Sequence, residues 1–136
     1  MGILNPFPSN LPMSSLPGSS SSPEPIIDLE AIENLRSLNP EDESFLKEIV
    51  DIFLVDTPAR IAELRQAHAS GDLAGFSRAA HTIKGSSSNL GAARLRSAAE
   101  RLEHNAKAEP LAQLGLGIPQ IETEFAAAKT ELQRLT

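Results

Sequence analysis

The stretch Phe76-Ser77-Arg78-Ala79-Ala80-His81-Thr82-Ile83-Lys84-Gly85-Ser86-Ser87-Ser88-Asn89-Leu90-Gly91 decides the fold. Wound at about 100° per residue, Phe76, Ala80, Ile83, Ser87 and Leu90 share one face, the inward stripe of an amphipathic helix. His81 falls roughly 140° from Phe76, on the open side. Asp72 is a good N-cap for this helix, and Gly91 suits its C-terminus.

The same period extends on both sides. Upstream, Asp28 caps a short helix carrying Leu29, Ile32 and Leu35. Asn39 and Pro40 read as N-cap and first residue of a second helix, with Glu41, Asp42 and Glu43 in its first turn, where the dipole favours acids. Its inward stripe is Leu46, Ile49, Phe53, Ile61 and Leu64. Pro58 lies inside and predicts a kink, or a break with Thr57 as a new cap. Gly71 ends this element. Downstream, Leu95, Ala98, Ala99, Leu102 and Ala106 mark a fourth helix. Residues 108–118, with Pro110, Gly115 and Gly117, read as a loop. Pro119 opens a last helix with Ile121, Phe125, Ala128, Leu132 and Leu135 inward.

No period-2 strand pattern appears. The expected fold is all-α: an antiparallel four-helix bundle over residues 26–136, with the short extra N-terminal helix capping one end. Residues 1–25 are rich in Ser, Pro, Gly and Asn. They read as a disordered tail or linker, because such a composition buries too little apolar surface to offset its ordering entropy.

Composition narrows the function. At 136 residues the chain is about one domain, and 40% hydrophobic residues suffice for a core. Lys and Arg number 12 against 18 Asp and Glu, a net charge of −6, the wrong sign for a polyanion binder. The aromatics are five Phe, with no Trp or Tyr, so no stacking platform for single strands is present. Nucleic acid and membrane are therefore not expected partners. The absence of Cys excludes thiolate metal sites and Cys nucleophiles, and three His leave little for a His-rich metal site. No apolar run is long enough to span a bilayer, and Pro6, Pro8, Pro12 and Pro17 interrupt any signal-like segment. A cytoplasmic chain is expected.

The open face of the His81 helix carries the chemistry. Ser77 lies one turn before His81, Lys84 and Gly85 one turn after, and Ser88 two turns after. Gly costs about 1 kcal/mol relative to Ala in mid-helix, so its presence beside His81 suggests room for an approaching group. Imidazole is a nucleophile near neutral pH. Lys84 disfavours imidazolium and would balance an attached phosphoryl charge. An exposed His beside a solvated Lys is the plainer alternative, and spacing alone leaves both open.

The segment Ala79–Ala92 resembles the signature of histidine-containing phosphotransfer (HPt) domains: small residue, His, apolar position, Lys-Gly, a run of small residues, then Leu-Gly. The resemblance extends over roughly residues 28–135, through Phe53, Pro58, Leu64 and Gly71-Asp72 upstream and Leu102-Glu103 downstream. It implies a helical bundle that takes a phosphoryl group from an aspartyl phosphate and passes it to the Asp of another receiver domain. His81 matches the phosphorylated residue, Lys84 the supporting cation and Gly85 the residue that leaves access. Some members place a polar and a basic side chain one turn apart late in the next helix, and Glu103 and Lys107 stand there. Glu103 is expected to repel phosphate, and that helix end is read as solvated charge. The related chemotaxis kinase domains continue the motif with more Gly and an aromatic, whereas Ser86-Ser87-Ser88-Asn89 stands here. That favours a phosphorelay intermediate.

The implied partners are receiver domains of a hybrid histidine kinase and of a response regulator. The implied protein is a monomeric phosphocarrier without independent turnover and without a cofactor of its own, Mg²⁺ being supplied by the receiver. A basic patch including Arg78 and Lys84 is expected to meet the acidic receiver site, with Ile26, Ile27 and Ile32 either adding apolar docking surface or capping the bundle. Two alternatives stay open: a non-catalytic all-helical adaptor, and an HPt domain excised from a larger hybrid sensor kinase.

Overall fold

Two glycines with left-handed backbone, Gly71 (φ 75°) and Gly91 (φ 67°), set the course of the chain. Each closes a helix with a Schellman-type bond from the residue after it: Asp72 N–H donates to Ala67 O, and Ala92 N–H to Ser87 O, both at 2.9 Å. Between them runs the helix that carries His81. The structure, a computed structural model, describes residues 24–136. It places α1 at Leu29–Leu38, α2 at Ser44–Ser70, α3 at Leu73–Asn89, α4 at Ala93–Asn105, a single turn α5 at Leu111–Leu114 and α6 at Ile118–Leu135, with a 3₁₀ turn at Gly115–Gly117. Among the described residues all regular structure is helical.

The expected caps on α1 and α3 form. Asp28 Oδ1 accepts from Glu30 N–H at 3.0 Å, and Asp72 Oδ1 from Gly75 N–H at 2.9 Å. The helix expected from Asn39 instead begins at Ser44. Asn39 N–H closes α1 on Arg36 O, and Asn39 O accepts from Asp42 N–H, so residues 39–42 form a turn. Asp42 then starts α2 by accepting from Ser44 N–H at 3.0 Å. Pro58 does not break α2, which is continuous from Ser44 to Ser70. Pro58 is exposed, and Thr57 is buried rather than capping a new helix. Residues 108–118 are not one loop: α5 and the 3₁₀ turn occupy most of it, and α6 starts one residue before Pro119. Leu114 and Ile118 are buried, and their burial holds this stretch helical against the core.

The core is the sum of the inward stripes. Phe53, Ile61 and Leu64 of α2 meet Phe76, Ala80 and Ile83 of α3, Leu95, Ala99 and Leu102 of α4, and Ile121, Ala128 and Leu132 of α6. Phe53 and the half-buried Phe125 stack at 5.7 Å between ring centroids, tilted by 48°. α3 lies against both α2 and α4, and α6 against both α4 and α2, so four long helices enclose one core. α1 crosses one end. Asp28 N–H donates to Gly91 O at 2.7 Å, and Arg36 Nη2 donates to Leu135 O at 3.1 Å. Ile27 and Ile32 are buried and Ile26 is packed on the core, so these residues cap that end and do not form an exposed docking face.

The tail assigned to residues 1–25 lies outside the described residues except for Glu24 and Pro25. Glu24 accepts from Ser97 Oγ on α4 at 2.6–2.7 Å. Among the described residues no helix is long and apolar enough to cross a membrane.

Candidate functional site

Burial of Phe76, Ala80, Ile83 and Ser87 fixes the rotation of α3, and that rotation turns His81 outward with 65% of its side chain exposed. Ser87 stays in the core because its hydroxyl is satisfied locally, donating to Ile83 O at 2.6 Å. Lys84, one turn on, leans toward α4 and is 28% exposed.

The group that joins them is Glu103 of α4. Its Oε2 lies 2.8 Å from His81 Nδ1, and its Oε1 accepts from Lys84 Nζ at 2.8 Å. Only 19% of its side chain is exposed. This corrects the reading of Glu103 as solvated charge. Its carboxylate bridges the two α3 side chains that the sequence put forward. The Lys84 hydrogen bond, against the opposing push of burial and with help from His81, holds the Glu103 carboxyl below the ordinary Glu range. The carboxylate is therefore ionised at neutral pH and can only accept, so His81 Nδ1 carries the proton of this bond.

Lys107, one turn beyond Glu103, is exposed and takes no part in the bridge. Arg78 and Thr82 flank His81 on the other side and line a shallow groove with Arg60 and Glu63 of α2. Arg60 is already paired with Glu63 at 3.1 Å. The basic patch expected around His81 is thus divided: Lys84 is neutralised by Glu103, while Arg78 stands on the α2 side.

Gly85 completes the open face. A Cβ built on it meets nothing within 4 Å. No packing among the described residues requires glycine at this exposed mid-helix position. Among the described residues no group of three or more His, Asp or Glu side chains comes together as a metal site would.

The structure places His81, Lys84 and Gly85 on one open face of α3, as the helical period predicts, and adds Glu103 to them. The missed signal was register. In a tight α3–α4 hairpin turning at Gly91, position 103 comes opposite position 81.

No curated protein matches the chain. Solved structures do. The histidine-containing phosphotransfer protein B from Pseudomonas aeruginosa PAO1 superposes with a TM-score of 0.74 and 28% identity, covering 81% of this chain and 93% of that one. The maize histidine-containing phosphotransfer protein ZmHP2 gives 0.72 and 18%, covering 80% and 81%. The HPT domain of a sensor hybrid histidine kinase from Shewanella gives 0.63 and 17%, covering 81% and 92%. At these last two identities the likeness is one of fold. The sequence profile of the Hpt domain matches residues 48–135, which takes in most of α2 and all of α3, α4 and α6. The match covers well over half the chain and includes the whole His81 constellation: the chain belongs to the Hpt domain family.

Proposed function

We propose that His81 is the residue that carries the phosphoryl group in this histidine phosphotransfer protein. An aspartyl phosphate on one receiver domain donates the group, and the Asp of a second receiver takes it. The observation that carries the reading is an exposed imidazole whose Nδ1 is tied to Glu103 at 2.8 Å, beside a glycine with open space above it. Transfer of this kind is positioning and charge neutralisation more than covalent chemistry by the protein. His81 supplies the nucleophile, Lys84 a cation within one turn, and Gly85 the clearance for a partner to reach His81.

In this reading the four long helices form an antiparallel four-helix bundle, and α1 is the short extra helix at its end. The bundle is a rigid stand for one imidazole. The protein acts as a cytoplasmic, monomeric phosphocarrier, consumed and regenerated in each relay step, and Mg²⁺ belongs to the receiver. The receivers are those of a hybrid histidine kinase and a response regulator. The adaptor alternative explains the inward stripes equally well. It gives no reason for an unpacked glycine or for the Glu103 bridge on the same face.

The test is the His81→Gln protein. It is expected to keep the parent's helicity and melting behaviour and to accept no acid-labile phosphate from a phosphorylated receiver. Undiminished labelling would remove His81 from the reading.

A further inference from the structure

On the reading of His81 as phosphoryl acceptor, we infer that Glu103 and the phosphoryl group compete for one cation, the Lys84 ammonium, and that this competition sets how readily the protein gives the group up.

Lys84 is already committed in the unphosphorylated protein. Its Nζ donates to Glu103 Oε1 at 2.8 Å, and the two side chains are only 28% and 19% exposed. That hydrogen bond is the largest influence holding the Glu103 carboxyl below the ordinary Glu range. Glu103 is itself fixed by its second oxygen, 2.8 Å from the His81 ring. The bridge therefore keeps the ammonium on the α4 side of His81, while 65% of the His81 side chain is open to solvent.

Phosphorylation changes the demand on that ammonium. One N–P bond forms at the open edge of the ring as one P–O bond of the donor's aspartyl phosphate breaks. The electron pair of the broken bond stays on the aspartate, and the ring keeps its own proton. The new group brings about two negative charges, against one on Glu103. At like distance it attracts an ammonium more strongly. Lys84 stands one turn from His81 and carries its charge on a flexible four-carbon stem, so it can turn to the phosphoryl oxygens. The imidazole separates the two acceptors, Glu103 on one edge and the phosphoryl group on the other. The ammonium serves one of them at a time.

The exchange is thereby linked to the transfer equilibrium. Opening the Lys84–Glu103 pair opposes phosphorylation, and closing it again favours departure of the group. The pair biases the protein towards handing the group on rather than storing it. Other charges stand outside the exchange. Arg78 lies one turn before His81 on α3 and Lys107 one turn beyond Glu103 on α4, both exposed. From α2, Arg60 is paired with Glu63 at 3.1 Å.

The experiment is a double-mutant cycle on the full chain: parent, Glu103→Gln, Lys84→Met and the two together. Each protein is equilibrated with the same Mg²⁺-loaded receiver domain, charged with acetyl phosphate and desalted. The ratio of phosphohistidine to aspartyl phosphate is then read. Glu103→Gln should raise that ratio, by up to about fivefold for a partly exposed pair, and Lys84→Met should lower it. With Met at position 84, Glu103→Gln should leave the ratio nearly unchanged. In the parent, labelling with phosphoramidate should shift the ¹⁵Nζ resonance of Lys84 and leave that of Lys107 in place. A pair that only links α3 to α4 would move the melting temperature and not the ratio. An equal rise with and without Lys84 would mean direct repulsion by Glu103 and would overturn the inference. So would an unchanged ratio in Glu103→Gln, or a Lys84 resonance indifferent to phosphorylation. Labelling of His81→Gln would overturn the acceptor reading itself, whereas an uncoupled cycle in a protein that labels only at His81 overturns this inference alone.

Discussion

Substitution at Gly85 should separate stability from transfer in opposite directions. Gly85 lies in the interior of α3, is exposed, and has nothing within 4 Å of an added Cβ. Its helical backbone suits any L-residue. Gly85→Ala should therefore stabilise the fold by about 0.5–1 kcal/mol, the difference in helix propensity. For a domain of this size that raises Tm by roughly 2–4 °C. Leu is nearly as good a helix former as Ala, so Gly85→Leu should also melt higher than the parent. Transfer should run the other way. Residues four apart on a helix have Cβ atoms about 5–6 Å apart, which puts a Leu side chain beside the imidazole and under any partner that reaches it. A misplacement of about 1 Å in a reacting pair costs on the order of 10²-fold in rate. Gly85→Leu should lose about that much, while the single methyl of Gly85→Ala should cost several-fold at most. Thermal melts and quench-flow transfer from one phosphorylated receiver read the two effects independently. Equal transfer rates for parent and Gly85→Leu would refute the clearance argument. A lower Tm for Gly85→Ala would refute the claim that none of the described residues uses that space.

The remaining perturbations act on charge and on backbone. Lys84→Ala should slow transfer several-fold and Lys84→Arg should retain most of the rate, with the difference shrinking in high salt, since a partly exposed pair is worth about 1 kcal/mol or less; transfer assays at two ionic strengths check this. Glu103 has a folded pKa below its unfolded value, so its stabilising contribution is present above the ordinary Glu pKa and is lost as pH falls through the lowered one. Tm measured from neutral to acid pH should accordingly fall more steeply for the parent than for Glu103→Gln, and parallel curves would show that the bridge adds no pH-linked stability. Gly91→Ala combines a left-handed φ of 67° with a Cβ 2.7 Å from Ala31 Cβ and 2.9 Å from Asp28 O, whereas Gly71→Ala at φ 75° meets nothing within 4 Å. Urea unfolding should show a loss of about 1–2 kcal/mol at Gly71 from backbone strain alone, and a larger loss at Gly91.

The inward stripe of α3 was legible because burial follows the 3.6-residue period, and Phe76, Ala80, Ile83, Ser87 and Leu90 are all buried. What failed was local chemistry that tertiary contacts override. Asn39-Pro40 carries a helix-start pattern, yet Asp42 performs the start, because Asn39 is used to end α1. Gly115 and Gly117 read as loop residues. Their role is close approach: an added Cβ would lie 2.5 Å from the His68 ring and 2.6 Å from Leu102 Cδ1. Pro58 predicts a kink or a break, and the break does not occur: on the exposed face of a helix whose other side is packed along its length, the lost hydrogen bond does not outweigh the burial of Phe53, Thr57 and Ile61.

The same distinction governs the site. His81, Lys84 and Gly85 lie within five residues of one another, so a helical wheel brings them together. Glu103 is separated from His81 by 22 positions and reaches it only because Gly91 folds α4 back along α3. A carboxylate beside a phosphoryl acceptor reads as repulsive when only its sign is considered. Its position reverses that reading. Its Oε2 lies 2.8 Å from His81 Nδ1, on the imidazole itself. Its negative charge faces the ring, and Lys84 on its other oxygen offsets that charge. The residue that looked least compatible with the site is the one that ties His81 and Lys84 to α4.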